Sequence, residues 1–174
     1  MAGFKRLKAK IRLRSRVFDV RRERWRGPDG IEFVRDSVVH PGAVAILPFD
    51  RNGNLLLIRQ FRPSAADWLL EIPAGTLEKR ETPLACAKRE LIEETGYAAK
   101  CWQRLGEVFT APGFCTEIIH LYKAWDLKPG FAEKDADEHI ELATMSVNSV
   151  RHAIRSGKIR DAKTLSALMF FTAS

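Results

Sequence analysis

GTLEKRETPLACAKRELIEETGY, residues 75–97, carries the strongest helix signal in the chain. Thr82 is an N-cap residue type, Pro83 suits the first helical position and Gly96 suits the C-terminal cap. The spacing therefore predicts a helix over 82–95. At about 100° per residue, Leu84, Ala87 and Leu91 share one face, the stripe expected to meet the core. Glu90, Glu93 and Glu94 fall at i, i+3 and i+4 on a neighbouring face. No local Lys or Arg neutralises all three. Each exposed like-charge pair costs about 0.2–0.5 kcal/mol, so a cation is expected among them. Oxygen donors without His or Cys select a hard ion, Mg²⁺, with Mn²⁺ as substitute. The Pro73-Ala74-Gly75 segment just before offers a backbone carbonyl as a further oxygen. Magnesium held by few carboxylates keeps positions for water and for substrate phosphates. A solvated Glu-rich helix face is the competing account of these three residues.

Working outward, the flanking segments read mostly as strands. Val17–Arg24 and Ile31–Val38 flank the turn signal Gly27-Pro28-Asp29-Gly30 and predict an antiparallel β-hairpin. Ala43–Phe49 and Leu55–Gln60 flank Asp50-Arg51-Asn52-Gly53-Asn54 and predict a second hairpin. Trp68–Ile72 is another short apolar run. Trp102–Phe109, Glu117–Trp125 and His139–Val147 are strand-like, and helical segments near Val150–Ser156 and Ala162–Phe171 close the chain. Strands dominate the front with helices inserted and appended, which is an α+β arrangement.

The 174 residues are 45% apolar and 29% charged, enough for a single core and too apolar for a disordered chain. No run of 18 apolar residues offers a membrane span. Cys86, Cys101 and Cys115 are odd in number without a CxxC pair, so they read as buried thiols in a reducing compartment, the cytoplasm. The net charge of +7 is unevenly placed. Residues 1–27 carry eleven Lys and Arg against Asp19 and Glu23, which leaves the remainder mildly acidic. Residues 1–16 are expected as a solvated basic arm. It has one Ser and no clear amphipathic moment, unlike a transit peptide. No aromatic interleaving or groove-reading motif follows it, which argues against nucleic acid as partner.

The spacing Gly75-x5-Glu81-x7-Arg89-Glu90-Leu91-x-Glu93-Glu94-x-Gly96-Tyr97 matches the Nudix box, GX5EX7REUXEEXGU, at every fixed position. Only Tyr97 strains it, where an aliphatic residue is usual. With average residue usage, a chance match is on the order of one in a billion windows. The chain therefore resembles the Nudix hydrolases. Pro112, sixteen residues after Gly96, is typical of the ADP-ribose pyrophosphatase branch. Trp68–Gly75, Gln60-Phe61-Arg62 and Gly157-Lys158-Ile159-Arg160-Asp161 also resemble that branch.

That resemblance, covering roughly residues 17–172, implies a Nudix fold: a mixed β-sheet sandwiched between helices (α/β/α), with an N-terminal antiparallel β-hairpin. Its organisation would be a basic arm (1–16), a hairpin serving dimerisation and substrate (17–42) and the Nudix hydrolase domain (43–174). The implied reaction is Mg²⁺-dependent attack of water on the diphosphate of a nucleoside diphosphate sugar. ADP-ribose, giving AMP and ribose 5-phosphate, comes first, with ADP-glucose or GDP-mannose as alternatives. A non-catalytic ADP-ribose-sensing module is the alternative from another class. Glu90, Glu93 and Glu94 match metal positions, Ala74 a carbonyl ligand and Arg89 the arginine that orients the carboxylates. Glu81 matches a more structural glutamate. Glu138, in Asp135-Ala136-Asp137-Glu138, matches a metal ligand. Ala136 stands where relatives often carry the base, so Glu138 takes that role first, with Asp135, Asp137 and Glu93 as substitutes. Arg62, Arg35, Glu71, Trp25, Phe114 and Glu117 match substrate contacts, Arg35 and Trp25 reaching a partner subunit's site in a homodimer.

Overall fold

The structure is a computed structural model that describes residues 3–131 and 140–173. Its strands are β1 (Lys5–Arg14), β2 (Asp19–Arg26), β3 (Glu32–Val39), β4 (Ala43–Pro48), β5 (Leu55–Arg62), β6 (Asp67–Glu71), β7 (Ala74–Thr76), β8 (Tyr97–Phe109), β9 (Ile118–Pro129) and β10 (Ile140–Met145). Its helices are α1 (Pro83–Thr95), α2 (Val147–Arg155) and α3 (Ala162–Ala173). The chain divides into two compact units: residues 1–42 with 109–118, and residues 43–108 with 119–174.

In the larger unit, β7-β4-β9-β8 form a mixed sheet in which β4 runs parallel to β9 and antiparallel to β7. β4 is buried along its whole length. Val44 and Ile46 pack with Cys86, Ala87 and Leu91 of α1. Ala43, Ala45 and Leu47 pack on the opposite side with Val150 and Ala153 of α2 and Ala167 and Leu168 of α3. A strand covered on both faces needs a near-continuous apolar run, which this one has. A second sheet, β10-β5-β6, is antiparallel throughout.

The hairpin expected across residues 43–60 does not form. The turn is present, with Asp50 N–H donating to the Asn54 carbonyl at 2.9 Å. Beyond a single bridge between Phe49 and Leu55, however, β4 and β5 enter different sheets. β4 has apolar groups to bury on both sides, which a two-stranded hairpin cannot do. α1 has the predicted caps: Thr82 Oγ accepts from Ala85 N–H at 3.3 Å, and Gly96, at φ 74°, donates to the Ile92 carbonyl at 2.7 Å. Its core stripe is Cys86, Ala87 and Leu91, whereas Leu84 is exposed. Of the three free cysteines only Cys86 is buried, and the other two are half-buried.

The smaller unit is an antiparallel sheet of order β1-β2-β3. Within the expected arm, Lys5–Arg14 is thus not a solvated tail but an edge strand paired with β2. Leu7, Ala9, Ile11 and Leu13 alternate with Lys8, Lys10, Arg12 and Arg14, a period of two. Among the described residues, neither buried apolar cluster draws a member from this sheet. Ile11, Leu13, Ile31 and Val34 are exposed on it. Val38 extends the pairing to the 109–118 loop, donating to the Phe114 carbonyl at 2.7 Å. No helix among the described residues is long and apolar enough to cross a membrane.

Candidate active site

α1 sets its acidic ridge beside β7, and Arg89 organises it. Arg89 closes a two-point fork on Glu81, Nε to Oε1 and Nη2 to Oε2, both at 3.0 Å. Its Nη1 donates to Glu90 Oε1 and Glu93 Oε2, each at 2.8 Å, and Nη2 also reaches the Thr76 carbonyl at 3.3 Å. One guanidinium therefore engages two of the three ridge carboxylates, more local neutralisation than the helix pattern alone suggests. Glu94 is buried and accepts the Ala74 N–H at 2.8 Å through Oε2. Arg89 thus bonds Glu81, Glu90 and Glu93, while the Arg62 guanidinium acts electrostatically with Glu94.

These contacts shift the charges. Hydrogen bonding by Arg89 holds Glu81 down to about 2, and hydrogen bonding by Glu81 raises Arg89 above its ordinary range. Burial, with the Glu81 and Glu90 charges nearby, pushes the Cys86 thiol up to about 12. It stays protonated at neutral pH and is a poor metal ligand.

The donor set suits a hard divalent ion: carboxylate oxygens on α1 face a strand whose backbone approaches them closely. Gly75 makes that approach possible, because a Cβ there would overlap the Glu90 carboxyl group. Among the described residues, no group of three or more His, Cys, Asp or Glu side chains is placed to hold a metal ion. Glu138 lies outside the described residues, as do Asp135, Ala136 and Asp137.

A second charged group is built where β5, β6 and α3 meet. Glu71 is 1% exposed, yet it carries two cations: Arg62 Nε donates to Oε1 at 2.7 Å, and Lys163 Nζ donates to Oε2. Burial opposes the Arg62 charge, but the Glu71 carboxylate outweighs it, so the Arg62 pKa is raised. Lys163 is also 3.0 Å from Asp161 Oδ1. Lys163 and Asp161 were not among the site residues expected from the sequence, although Asp161 ends the Gly157–Asp161 segment.

Four further candidates lie in the smaller unit. Trp25 on β2 is half-buried opposite Phe33, with the Arg6 guanidinium 6.0 Å from its ring centre. Arg35 on β3 sits 4.8 Å over the Phe33 ring and donates to the Val34 carbonyl at 2.9 Å. Phe114 is 61% exposed. Glu117 Oε1 is 3.4 Å from His40 Nδ1.

Comparison with known proteins agrees with this geometry. The family model described as NUDIX domain matches residues 39–168. The chain is 38% identical over 157 residues to an ADP-ribose pyrophosphatase of Bacillus subtilis (strain 168), covering 89% of this chain and 85% of that protein. It is 37% identical over 135 residues to a GDP-mannose pyrophosphatase of Cronobacter sakazakii, covering 71% and 69%. A solved structure entitled "Crystal structure of ADP compounds hydrolase" superposes with a TM-score of 0.87 at 24% identity, covering 98% of this chain and 93% of that one. With the box carboxylates gathered on α1 against β7, the chain belongs to the NUDIX family, on the branch that holds the ADP-ribose pyrophosphatases, and is a hydrolase of pyrophosphate bonds.

Proposed function

We propose that this chain hydrolyses the diphosphate of a nucleoside diphosphate sugar, ADP-ribose first, giving AMP and ribose 5-phosphate. The observation that carries this reading is the Arg89-centred ridge of Glu90, Glu93 and Glu94 against the Ala74-Gly75 backbone. The similarity to the B. subtilis ADP-ribose pyrophosphatase supports the choice of sugar nucleotide. GDP-mannose is the second reading, supported by the C. sakazakii relative.

Glu90, Glu93, Glu94 and Glu138, with the Ala74 carbonyl, would hold Mg²⁺ or Mn²⁺. When bound, the ion supplies nucleophile activation and charge neutralisation at the phosphate oxygens. The protein's own groups do the positioning. Arg89 fixes Glu90 and Glu93 in place, and the Ala74 N–H fixes Glu94. Arg62, held by Glu71, presents a guanidinium to the diphosphate. Glu138 takes the proton of the attacking water, with Glu93 as substitute. Arg35, Trp25, Phe114 and Glu117 contact the nucleoside and ribose ends. A second copy of the chain supplies Arg35 and Trp25, because the small sheet exposes Ile11, Leu13, Ile31 and Val34 without a core of its own.

The test is a phosphomonoester-release assay over ADP- and GDP-sugars, with and without Mg²⁺, beside a Glu94→Gln variant. ADP-ribose should be the best substrate, and the variant should lose at least about 10²-fold in kcat. Turnover that survives Glu94→Gln contradicts the metal assignment.

A further inference from the structure

Folding Lys5–Arg14 into β1 fixes cations that a solvated arm would leave diffuse. Lys8, Lys10 and Arg12 of β1, with Arg22 and Arg24 of β2, line one groove of about 290 Å³. All five are exposed. The register sets Lys8 opposite Arg24 and Lys10 opposite Arg22. Like charges directly opposite one another across two strands are destabilising, so this arrangement costs the sheet stability. Lysines on an edge strand guard against pairing with another chain, which accounts for those of β1. β2 is the central strand of the three and has no edge to guard, so Arg22 and Arg24 need another account.

The acids nearby are already engaged. Glu23, buried in the wall of the groove, accepts from Arg6 Nη1 at 3.0 Å through Oε1, which Arg21 Nε approaches to 2.9 Å. Asp36 is forked by Arg22 at 2.7 and 2.6 Å, and Arg12 acts on it only through space. Among the described residues, Lys8, Lys10, Arg12 and Arg24 close no salt bridge. Lys8, Lys10 and Arg12 follow one another at intervals of about 6.7 Å along their strand, with Arg24 and Arg22 as a second row beside them.

We infer that this groove binds the phosphodiester backbone of a nucleic-acid duplex without reading its sequence. Two rows of cations along a groove suit a ridge of phosphates. A lipid surface would call for apolar side chains beside the cations, and among the described residues only Val34 lines the groove with one. None of those lining it is aromatic, so unpaired bases have nothing to stack on, which favours a duplex over a single strand. The lack of aromatic residues, which in the sequence spoke against nucleic acid, removes base reading and leaves backbone binding in place. This binding goes beyond the hydrolysis proposed above and does not depend on it.

Fluorescence anisotropy with labelled DNA duplexes of two unrelated sequences tests this on the full chain, with thermal melts alongside. If the four cations without a salt bridge each displace a counterion, log K should fall with log salt at a slope of about −3.6, a loss of about 10²-fold between about 50 and 200 mM. The two sequences should agree within about threefold. Replacing Lys8, Lys10, Arg12 and Arg24 with Gln should weaken binding at least about tenfold at about 50 mM salt and bring the slope close to zero. The same charge change at Lys100, Lys128, Arg151 and Arg155, exposed on the larger unit, should leave the slope within about one of wild type. Removing the facing like charges should leave Tm unchanged or raise it. Should the fourfold groove variant not fold, Lys8→Gln with Arg24→Gln should roughly halve the slope. No binding at low salt, or a charge-matched control that loses as much affinity as the groove variant, overturns the inference. So does tighter binding to the single strands than to the duplex, or a groove variant that keeps duplex binding and loses only phosphatidylserine vesicles.

Discussion

Gly75→Ala separates the stability of this fold from its chemistry. Gly75 lies on β7 opposite Val44, and the space where its side chain would be holds the Glu90 carboxyl group. Its backbone is outside the left-handed region, so alanine meets no φ strain there. What has to move is the far end of a flexible side chain. Glu90 would swing away from β7 and lose its 2.8 Å bond from Arg89. A partly buried hydrogen bond between charged groups contributes about 1.5–3 kcal/mol, and the stiffer unfolded chain of alanine returns about 0.4–1 kcal/mol. The net loss is about 1–2 kcal/mol, a fall in Tm of about 2–8 °C for a domain of this size. Catalysis should suffer more, since displacing an aligned group by an ångström costs about 10²-fold, or about 2.7 kcal/mol of barrier. Calorimetric melts and initial rates at saturating substrate measure the two effects on one sample. A kcat within threefold of wild type would show that the place Glu90 occupies is not required. A collapse of Tm by more than about 15 °C would show that β7 itself, not Glu90, bears the cost.

Two further outcomes follow from the charges. Arg89 depresses Glu81 from 4.5 to about 2, so the pair stabilises the fold fully above pH 4.5 and loses that contribution as pH falls through 2. The shift sets a ceiling of about 3 kcal/mol, which solvent screening lowers to about 1–2 kcal/mol. Glu81→Gln should therefore be less stable than wild type by that amount in urea titrations at pH 7, with the gap closing towards pH 2. A gap that stays constant with pH refutes the ion-pair account. Separately, Lys8, Lys10 and Arg12 line a groove of about 290 Å³ on the small sheet. Replacing all three with Gln should lower kcat/KM at low salt by about three- to tenfold and flatten its salt dependence, if this face steers anionic substrate. Identical salt profiles would dismiss the steering.

Local signals were the legible ones. Thr82, Pro83 and Gly96 marked both ends of α1, since caps are local chemistry and need no tertiary partner. Glu90, Glu93 and Glu94 were legible for the same reason, being fixed by helical spacing. Two elements were misread because the missing information was not local. In Lys5–Arg14 the high charge obscured an alternation of Leu7, Ala9, Ile11 and Leu13 that has the period of a strand. Around Asp50–Asn54 the turn chemistry was right, but a turn does not say which strands will pair beyond it. The apolar run of β4, uninterrupted by polar alternation, pointed to a central strand covered on both faces rather than to one arm of a hairpin.

Glu71 shows where sequence reading stops. It ends β6 inside the apolar run Trp68–Ile72, which signals an acid turned into the interior, and a buried carboxylate needs partners. One partner, Arg62, lies nine residues away across the β5–β6 pairing, within reach of local reasoning. The other, Lys163, is 92 residues away at the start of α3, and no spacing rule connects them. The same holds for Thr164 and the Ile72 N–H. The acidic ridge of Glu90, Glu93 and Glu94 is a property of one helix, so it could be read from one segment. The pairing of Glu71 with both Arg62 and Lys163 belongs to three elements at once, and it takes form only where the fold brings β5, β6 and α3 together.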